Sequence, residues 1–255
     1  MTTQTERFNR TLHLGHEDWL KTPEGDPRGY IDPQMLTELW FHTGTTCNLR
    51  CPFCLEGSKP GDNRINPLLF EDAKPIIDEA LEMGVEQFSF TGGEPFVIPE
   101  FVRILDYALE HRPCLVLTNG TEPLMNRMTE VIPLKEKPHP LKFRISFDYP
   151  DPEKHDKARG KGNFRISLKC IGRLHGYGFD ISIARHREKD ENVYAVDRMF
   201  DPFLEEVGVP TDLNIVSFPE FLTPGSMPDV PQITEHCMTH YQNEKSRDAM
   251  MCNYT

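Results

Sequence analysis

The chain has 255 residues, enough to bury a sizeable core as one α/β barrel or as one domain with a modest appendage. Its 28 basic and 40 acidic residues give a net charge of −12, opposite in sign to a surface that tracks phosphate, so nucleic acid and anionic membrane are not expected partners. The polar opening MTTQTERFNRTLHLG and the lack of any run near the roughly 18 apolar residues of a membrane span predict a soluble, cytoplasmic protein.

Residues 1–35 are polar and broken by prolines and read as an irregular N-terminal extension. A core domain is expected over 36–218, and a C-terminal tail over 219–255. Glu38–His42 reads as a first strand and is followed by a cysteine loop. A helix is then predicted over Phe70–Met83, with Ile76, Ile77, Ala80 and Leu81 at helical spacing and Gly84 as the stop. Gln87–Phe90 is a second strand. It runs into Thr-Gly-Gly-Glu-Pro-Phe and a helix from about Pro99 that carries Phe101, Ile104, Leu105 and Ala108 on one face.

The alternation continues with strands at Cys114–Leu117, Phe143–Phe147, Asp180–Ala184 and Leu213–Val216. The clearest intervening helix carries Phe164, Leu168, Ile171 and Leu174 and ends at Gly176 and Gly178. A proline-rich connection follows from Ser217 and leads to a predicted helix around Ile233–Tyr241. Strands alternating with helices imply a parallel sheet with right-handed crossovers. Six units are too few for a closed eight-stranded barrel, so the expected fold is a partial (β/α)6 TIM-like barrel. Its reactive groups should gather at the carboxyl ends of the strands.

Two segments with chemistry fall at such ends. After the first strand, Cys47, Cys51 and Cys54 stand at the spacing CxxxCxxC. Three of seven cysteines are thus too crowded for a disulfide framework and point to metal in a reducing compartment. Thiolates so close in sequence can each bind a different iron of a 4Fe-4S cube and leave the fourth iron open to a small molecule. The competing assignment is a zinc knot, which needs a fourth ligand such as His42. After the second strand, Gly92 and Gly93 let a backbone approach without a Cβ, and Glu94 can accept a hydrogen bond from an ammonium group. An ordinary strand-to-helix turn also explains this segment.

The cysteine spacing, the aromatic Phe53 just before the last cysteine, and Gly92-Gly93-Glu94-Pro95 together resemble the radical S-adenosylmethionine superfamily over roughly residues 36–218. The resemblance implies a 4Fe-4S cluster on Cys47, Cys51 and Cys54. It also implies S-adenosylmethionine chelated to the open iron, and an electron that cleaves it to methionine and a 5′-deoxyadenosyl radical able to take a hydrogen atom from a substrate. It further places the amino end of that cofactor at Gly92, Gly93 and Glu94, and Phe53 beside the adenine. Ser146 and Asp148, which alternate to one side as the fourth strand ends, suit the ribose hydroxyls or a turn. Arg185 suits the ligand carboxylate or a surface salt bridge, and Thr118 and Asn119 face the mouth or form an Asn-Gly turn. The family's glycine-rich adenine motif on strand five has no clear counterpart.

Other thiols leave alternatives open. Many relatives bind auxiliary clusters through C-terminal cysteines, and here Cys237 and Cys252, with His236 and His240, either begin such a region or are free thiols like Cys114 and Cys170. Arg50, Lys59 and Arg64 flank the cysteine loop, where they form either a docking patch for an acidic electron donor such as a flavodoxin or ferredoxin, or solvated loop charges. The rivals to a radical enzyme are an iron-sulfur electron carrier and a zinc-stabilised interaction module. The substrate, a peptide or a small metabolite, is not specified by these residues.

Overall fold

In the computed structural model the described residues are 35–219 together with 243, 245, 246, 249 and 250. The expected helix at Ile233–Tyr241, both C-terminal cysteines and their neighbouring histidines lie outside the described residues, as does nearly all of the N-terminal extension. The sheet and its helices belong to a unit running from Met35 to Pro228, and the remaining described positions belong to a second unit.

Six strands form one sheet: β1 (Glu38–His42), β2 (Gln87–Thr91), β3 (Cys114–Thr118), β4 (Leu141–Ser146), β5 (Asp180–Arg187) and β6 (Ile215–Pro219). Their spatial order is their chain order and every pairing is parallel. With right-handed crossovers throughout, that order puts all connecting helices on one face, the winding of a barrel rather than of a doubly wound sheet. β1 and β6 do not pair with each other, so the sheet is an unclosed, partial TIM-like barrel.

The helices are α1 (Phe70–Glu82), α2 (Phe101–Ala108), α3 (Glu122–Asn126), α4 (Met128–Val131), α5 (Pro152–Arg159), α6 (Asn163–Gly176), α7 (Val193–Arg198) and α8 (Asp201–Glu206). Alternation along the strands decides what each face holds. Phe88, Phe90, Val116, Phe143, Ile145 and Ile183 are fully buried and join Ile77 of α1, Phe101 of α2 and Leu168 of α6 in one apolar core. Phe41 stacks on Phe90 at 5.3 Å between centroids, and Phe90 meets Phe101 edge-on at 5.5 Å. The α6 stripe Phe164, Leu168, Ile171 and Leu174 is buried as its spacing predicts. Its Gly172 lets α6 sit against Val207, which an added Cβ would approach to 2.7 Å.

Only β1 keeps the bounds the sequence pattern predicts: β2 and β3 each run one residue further, to Thr91 and Thr118, and β4 spans Leu141–Ser146 rather than Phe143–Phe147. β5 runs three residues further than the apolar alternation, because Arg185, His186 and Arg187 pair with Ser217, Phe218 and Pro219 of β6. β6 correspondingly starts at Ile215 rather than Leu213, in register with Ile183. The polar helix α5 has no apolar stripe, and His155 is its one buried residue.

Candidate radical cofactor site

The cysteine loop and the glycine-rich turn are fastened together by backbone bonds. Gly93 N–H donates to the Gly44 carbonyl at 2.8 Å, and Glu94 N–H to the Thr46 carbonyl at 3.0 Å. These bonds bring the carbonyls of the loop segment preceding Cys47 so close that neither glycine can carry a side chain. A Cβ on Gly93 would collide with the Thr46 carbonyl, and one on Gly92, whose φ is +136°, would stand 2.8 Å from the Gly44 carbonyl. The close approach that two glycines announce in the sequence is thus an approach to the cysteine loop itself. On its far side the loop is tied by Cys47 N–H to the Lys59 carbonyl and by Thr45 N–H to the Ile65 carbonyl, both at 3.3 Å.

Cys47 is buried, while Cys51 and Cys54 are half-buried. The Cys47 sulfur accepts from Leu49 N–H at 3.3 Å and lies 3.9 Å from Asn119 Nδ2. Burial pushes the Cys47 thiol up to about 12 and also raises Cys51, in the latter case against the pull of Arg159. Such thiols become thiolates when a cation joins them. Among the described residues no three His, Cys, Asp or Glu side chains are gathered as ligands to a single ion. A cubane takes each thiolate at a different iron, so its ligands need not converge on one point. Soft thiols, N–H groups directed at Cys47 and a side-chain-free turn alongside fit a cluster. The zinc alternative loses its fourth ligand, because His42 accepts from Gly44 N–H through Nδ1 and pairs with Glu56 through Nε2 at 3.0 Å.

Glu94 is buried, and its carboxylate accepts from Phe96 N–H at 3.1 Å, from the Thr118 hydroxyl at 2.8 Å and from Asn119 N–H at 2.8 Å. Burial raises this carboxyl to about 7 despite those donors. Thr118 and Asn119 therefore join the site through Glu94, and Asn119 reaches onward to Asn48 in the cysteine loop at 2.9 Å.

Across the mouth, Phe53 is half-buried and stacks on His186 at 5.4 Å, with the Arg159 guanidinium 5.6 Å from its ring centre. Asp148 is buried and forms a two-pronged ion pair with Arg159. Burial pulls the Arg159 guanidinium down, but Asp148 and Cys51 outweigh it and the net shift is upward. Ser146 is half-buried at the end of β4. Arg185 is placed elsewhere. It shares the helix-covered face of β5 with Ile181 and Ile183, fully buried, and its guanidinium is taken by Asp197 and Glu191 at 2.6 Å each and by the carbonyls of His186 and Val193. It is neither a surface charge nor turned to the mouth.

A cation beside the cysteines is Arg159, on a helix with no apolar stripe to announce it in the sequence. His186, in the polar end of β5, likewise has no sequence signal. It lies on the opposite side of β5 from Arg185, and its Nδ1 meets the Tyr149 hydroxyl at 2.8 Å. Arg50 and Lys59 are exposed, whereas Arg64 is drawn into a pair with the buried Asp62.

A sequence model of the radical SAM superfamily matches residues 41–196, from the end of β1 into α7. The chain belongs to the radical SAM superfamily. Mycofactocin maturase MftC of Mycolicibacterium smegmatis is 34% identical over 155 residues, 60% of this chain and 37% of that protein. The antilisterial bacteriocin subtilosin biosynthesis protein AlbA of Bacillus subtilis is 34% identical over 146 residues, 56% of this chain and 32% of that protein. This radical SAM chain thus spans about a third of the length of these curated relatives. Streptococcus suis SuiB bound to S-adenosylmethionine matches its fold with a TM-score of 0.59 at 17% identity, over 75% of this chain and 42% of that one. SuiB bound to its precursor peptide SuiA matches with a TM-score of 0.58 at 16% identity, over 85% and 50%. No helix among the described residues is long and apolar enough to cross a membrane.

Proposed function

We propose that this radical SAM chain holds a 4Fe-4S cluster on Cys47, Cys51 and Cys54 and binds S-adenosylmethionine at the mouth beside it, to start radical chemistry on a peptide. When bound, this pair of cofactors supplies a 5′-deoxyadenosyl radical by one-electron cleavage of the sulfonium, and the radical takes a hydrogen atom from the substrate. The observation that carries the reading is the backbone clamp between the cysteine loop and Gly92-Gly93-Glu94, which ties two otherwise separate sequence signals into one site.

Within that site Gly92, Gly93 and Glu94 take the amino end of the cofactor. Glu94 has about one lone-pair position left beyond its three protein donors. Phe53 offers its ring to the adenine, and Ser146 offers a hydroxyl to the ribose. Asp148 is already engaged, so its part is to hold Arg159, whose remaining N–H groups face a ligand carboxylate. A primary radical requires that water be kept from it, a task that falls to the walls of this mouth and the bound substrate. A peptide substrate is favoured by the maturases among the relatives and by the peptide-bound SuiB structure. GTP 3′,8-cyclase of Haemophilus influenzae, 27% identical over 181 residues, supports the small-metabolite alternative. Exposed Arg50 and Lys59 would receive an acidic donor such as a flavodoxin or ferredoxin, with Arg64 held back by Asp62. The reading locates the protein in the cytoplasm, where thiols stay reduced.

Anaerobic reconstitution tests this. The wild-type chain should take up about four irons and, once reduced with dithionite, release 5′-deoxyadenosine. Cys47→Ala, Cys51→Ala and Cys54→Ala should each abolish that product. Stoichiometric zinc in place of iron, or no nucleoside from iron-loaded protein, would overturn the proposal.

A further inference from the structure

The face of the sheet turned away from the helices carries Trp40, Ser89, Leu115, Arg144 and Ser182, by the same alternation that sends the phenylalanines outward. Arg144 stands out on this inner face by its lack of a counter-charge. Lys142, two residues earlier on the same side of β4, pairs with Asp180 at 3.8 Å. Arg159 has Asp148, and the buried Arg185 has two carboxylates. Arg112 is half-buried without a carboxylate, yet it donates to the carbonyls of Val85 and His111 at 2.6 and 2.7 Å.

Arg144 is half-buried in mid-strand, and among the described residues its guanidinium meets only the Ser182 hydroxyl, 3.3 Å from Nε. That contact fixes the plane of the guanidinium through its inner nitrogen. Both terminal nitrogens, the edge that grips a carboxylate with two parallel bonds, are left without a protein acceptor. A second donor on the same face is in the same condition, since the Trp40 Nε1–H is buried and has no acceptor. Two acidic groups of this face, Asp180 and Glu38, are not available to Arg144. Asp180 pairs with Lys142. Glu38 accepts from Gln87 and Ser89 on the neighbouring strand, and apolar Leu115 of β3 lies between it and Arg144.

Depth adds the functional meaning. Arg144 and Ser146 are successive residues on one side of β4, so Arg144 lies about 7 Å below the strand end where Ser146 faces the mouth. A group held there would present its neighbouring carbon to the mouth. We propose that Arg144 is a specificity-determining residue that binds a carboxylate of the substrate, with Ser182 as its positioning residue. The inference rests on the proposed function in that it takes the mouth above Arg144 to be the radical source. The carboxylate is that of an acidic side chain or of a chain terminus, and Arg144 recognises the chemistry the two share.

The test is calorimetric titration of the full-length, anaerobically reconstituted protein with four peptides: N-acetyl-Ala-Ala-Glu-Ala-amide, the same peptide with Gln for Glu, N-acetyl-tetra-alanine with a free carboxylate, and its amide. The wild type should bind at least one carboxylate peptide roughly tenfold or more tightly than its neutral twin, the size of a charge-assisted pair. Which twin pair discriminates tells side chain from terminus. In Arg144→Met, checked for folding by its melting curve, the two twins should bind equally and as weakly as the neutral peptide binds wild type. Arg144→Lys should keep part of the preference, and Ser182→Ala should lower it several-fold. Equal binding of the twins to wild type, an unchanged preference in Arg144→Met, or binding of none of the four would overturn the inference. Release of 5′-deoxyadenosine without peptide is measured on the same preparations. Its absence counts against the cofactor reading and leaves a carboxylate preference standing, while its presence without any preference counts against Arg144 alone.

Discussion

On the helix-covered side of the sheet Phe88, Phe90, Phe143 and Ile183 are shut away from solvent, and a charged side chain buried there, Arg185, is surrounded by two carboxylates and two carbonyls. On the other side the same strands present Ser89, Arg144, Ser182 and the indole of Trp40, with donors that no group of the described chain satisfies. Both faces come from one alternating pattern, yet every polar atom of Arg185 works for the fold, while the two terminal nitrogens of Arg144 meet no acceptor among the described residues. A charge that is fully engaged is structural, and one that is positioned but unanswered is a place to look for a ligand.

Substitutions on the two sides should separate by size. The largest stability loss falls on the apolar side: Phe88→Ala should destabilise by about 3 to 5 kcal/mol in denaturant unfolding, because the packed surroundings cannot collapse into the void. Next comes the contrast between the two arginines. Arg185→Gln should cost about 3 kcal/mol by stranding Glu191 and Asp197, whereas Arg144→Met should stay within about 1 kcal/mol, the worth of one neutral hydrogen bond. Equal losses at the two sites would remove the distinction drawn above.

A further effect, smaller than those at Phe88 and Arg185, depends on pH. His155 of α5 is buried against Phe147 and Phe164 with no partner for either ring nitrogen, and burial first, then Arg159, lowers it to about 4 in spite of Asp148 and Asp156. The folded state therefore takes up this proton less readily than the unfolded chain. Stability is full above about pH 6.5 and falls as the pH drops toward about 4. Between pH 7.5 and 5 the loss from this one group is about 2 kcal/mol. His155→Phe should flatten that part of the profile, and a variant as acid-sensitive as the wild type would show that the proton goes elsewhere.

The fold was readable wherever a local period or a local stop carried it. The α6 stripe, the apolar strands and the cysteine spacing are of that kind. β5 looked three residues short because Arg185-His186-Arg187 has no apolar signal, and its pairing is decided by β6, thirty residues away. α5 was not locatable for a related reason, as a polar helix with one buried histidine has nothing to distinguish it from a solvated turn. The site was legible as two motifs but not as an assembly. Arg159 and His186 meet Phe53, and Tyr149 meets His186, only through folding, and the side of β5 that Arg185 faces follows from a strand boundary the sequence did not mark. Gly92 and Gly93 were legible as glycines that something must approach, without a sign that the something was Thr43–Thr46.

The loop that carries the three thiols is already stitched at both flanks, through Cys47 to Lys59, Thr45 to Ile65 and Glu94 to Thr46, all by main-chain bonds that involve no metal. Small zinc modules are unfolded until their ion arrives, so that ordering the chain draws on the energy of capture. Here the chain entropy is surrendered earlier, when the sheet forms, and iron meets a finished mould. Stripping the metal should therefore leave a protein that keeps its shape and can be refilled, with its affinity for iron undiminished by any need to fold again.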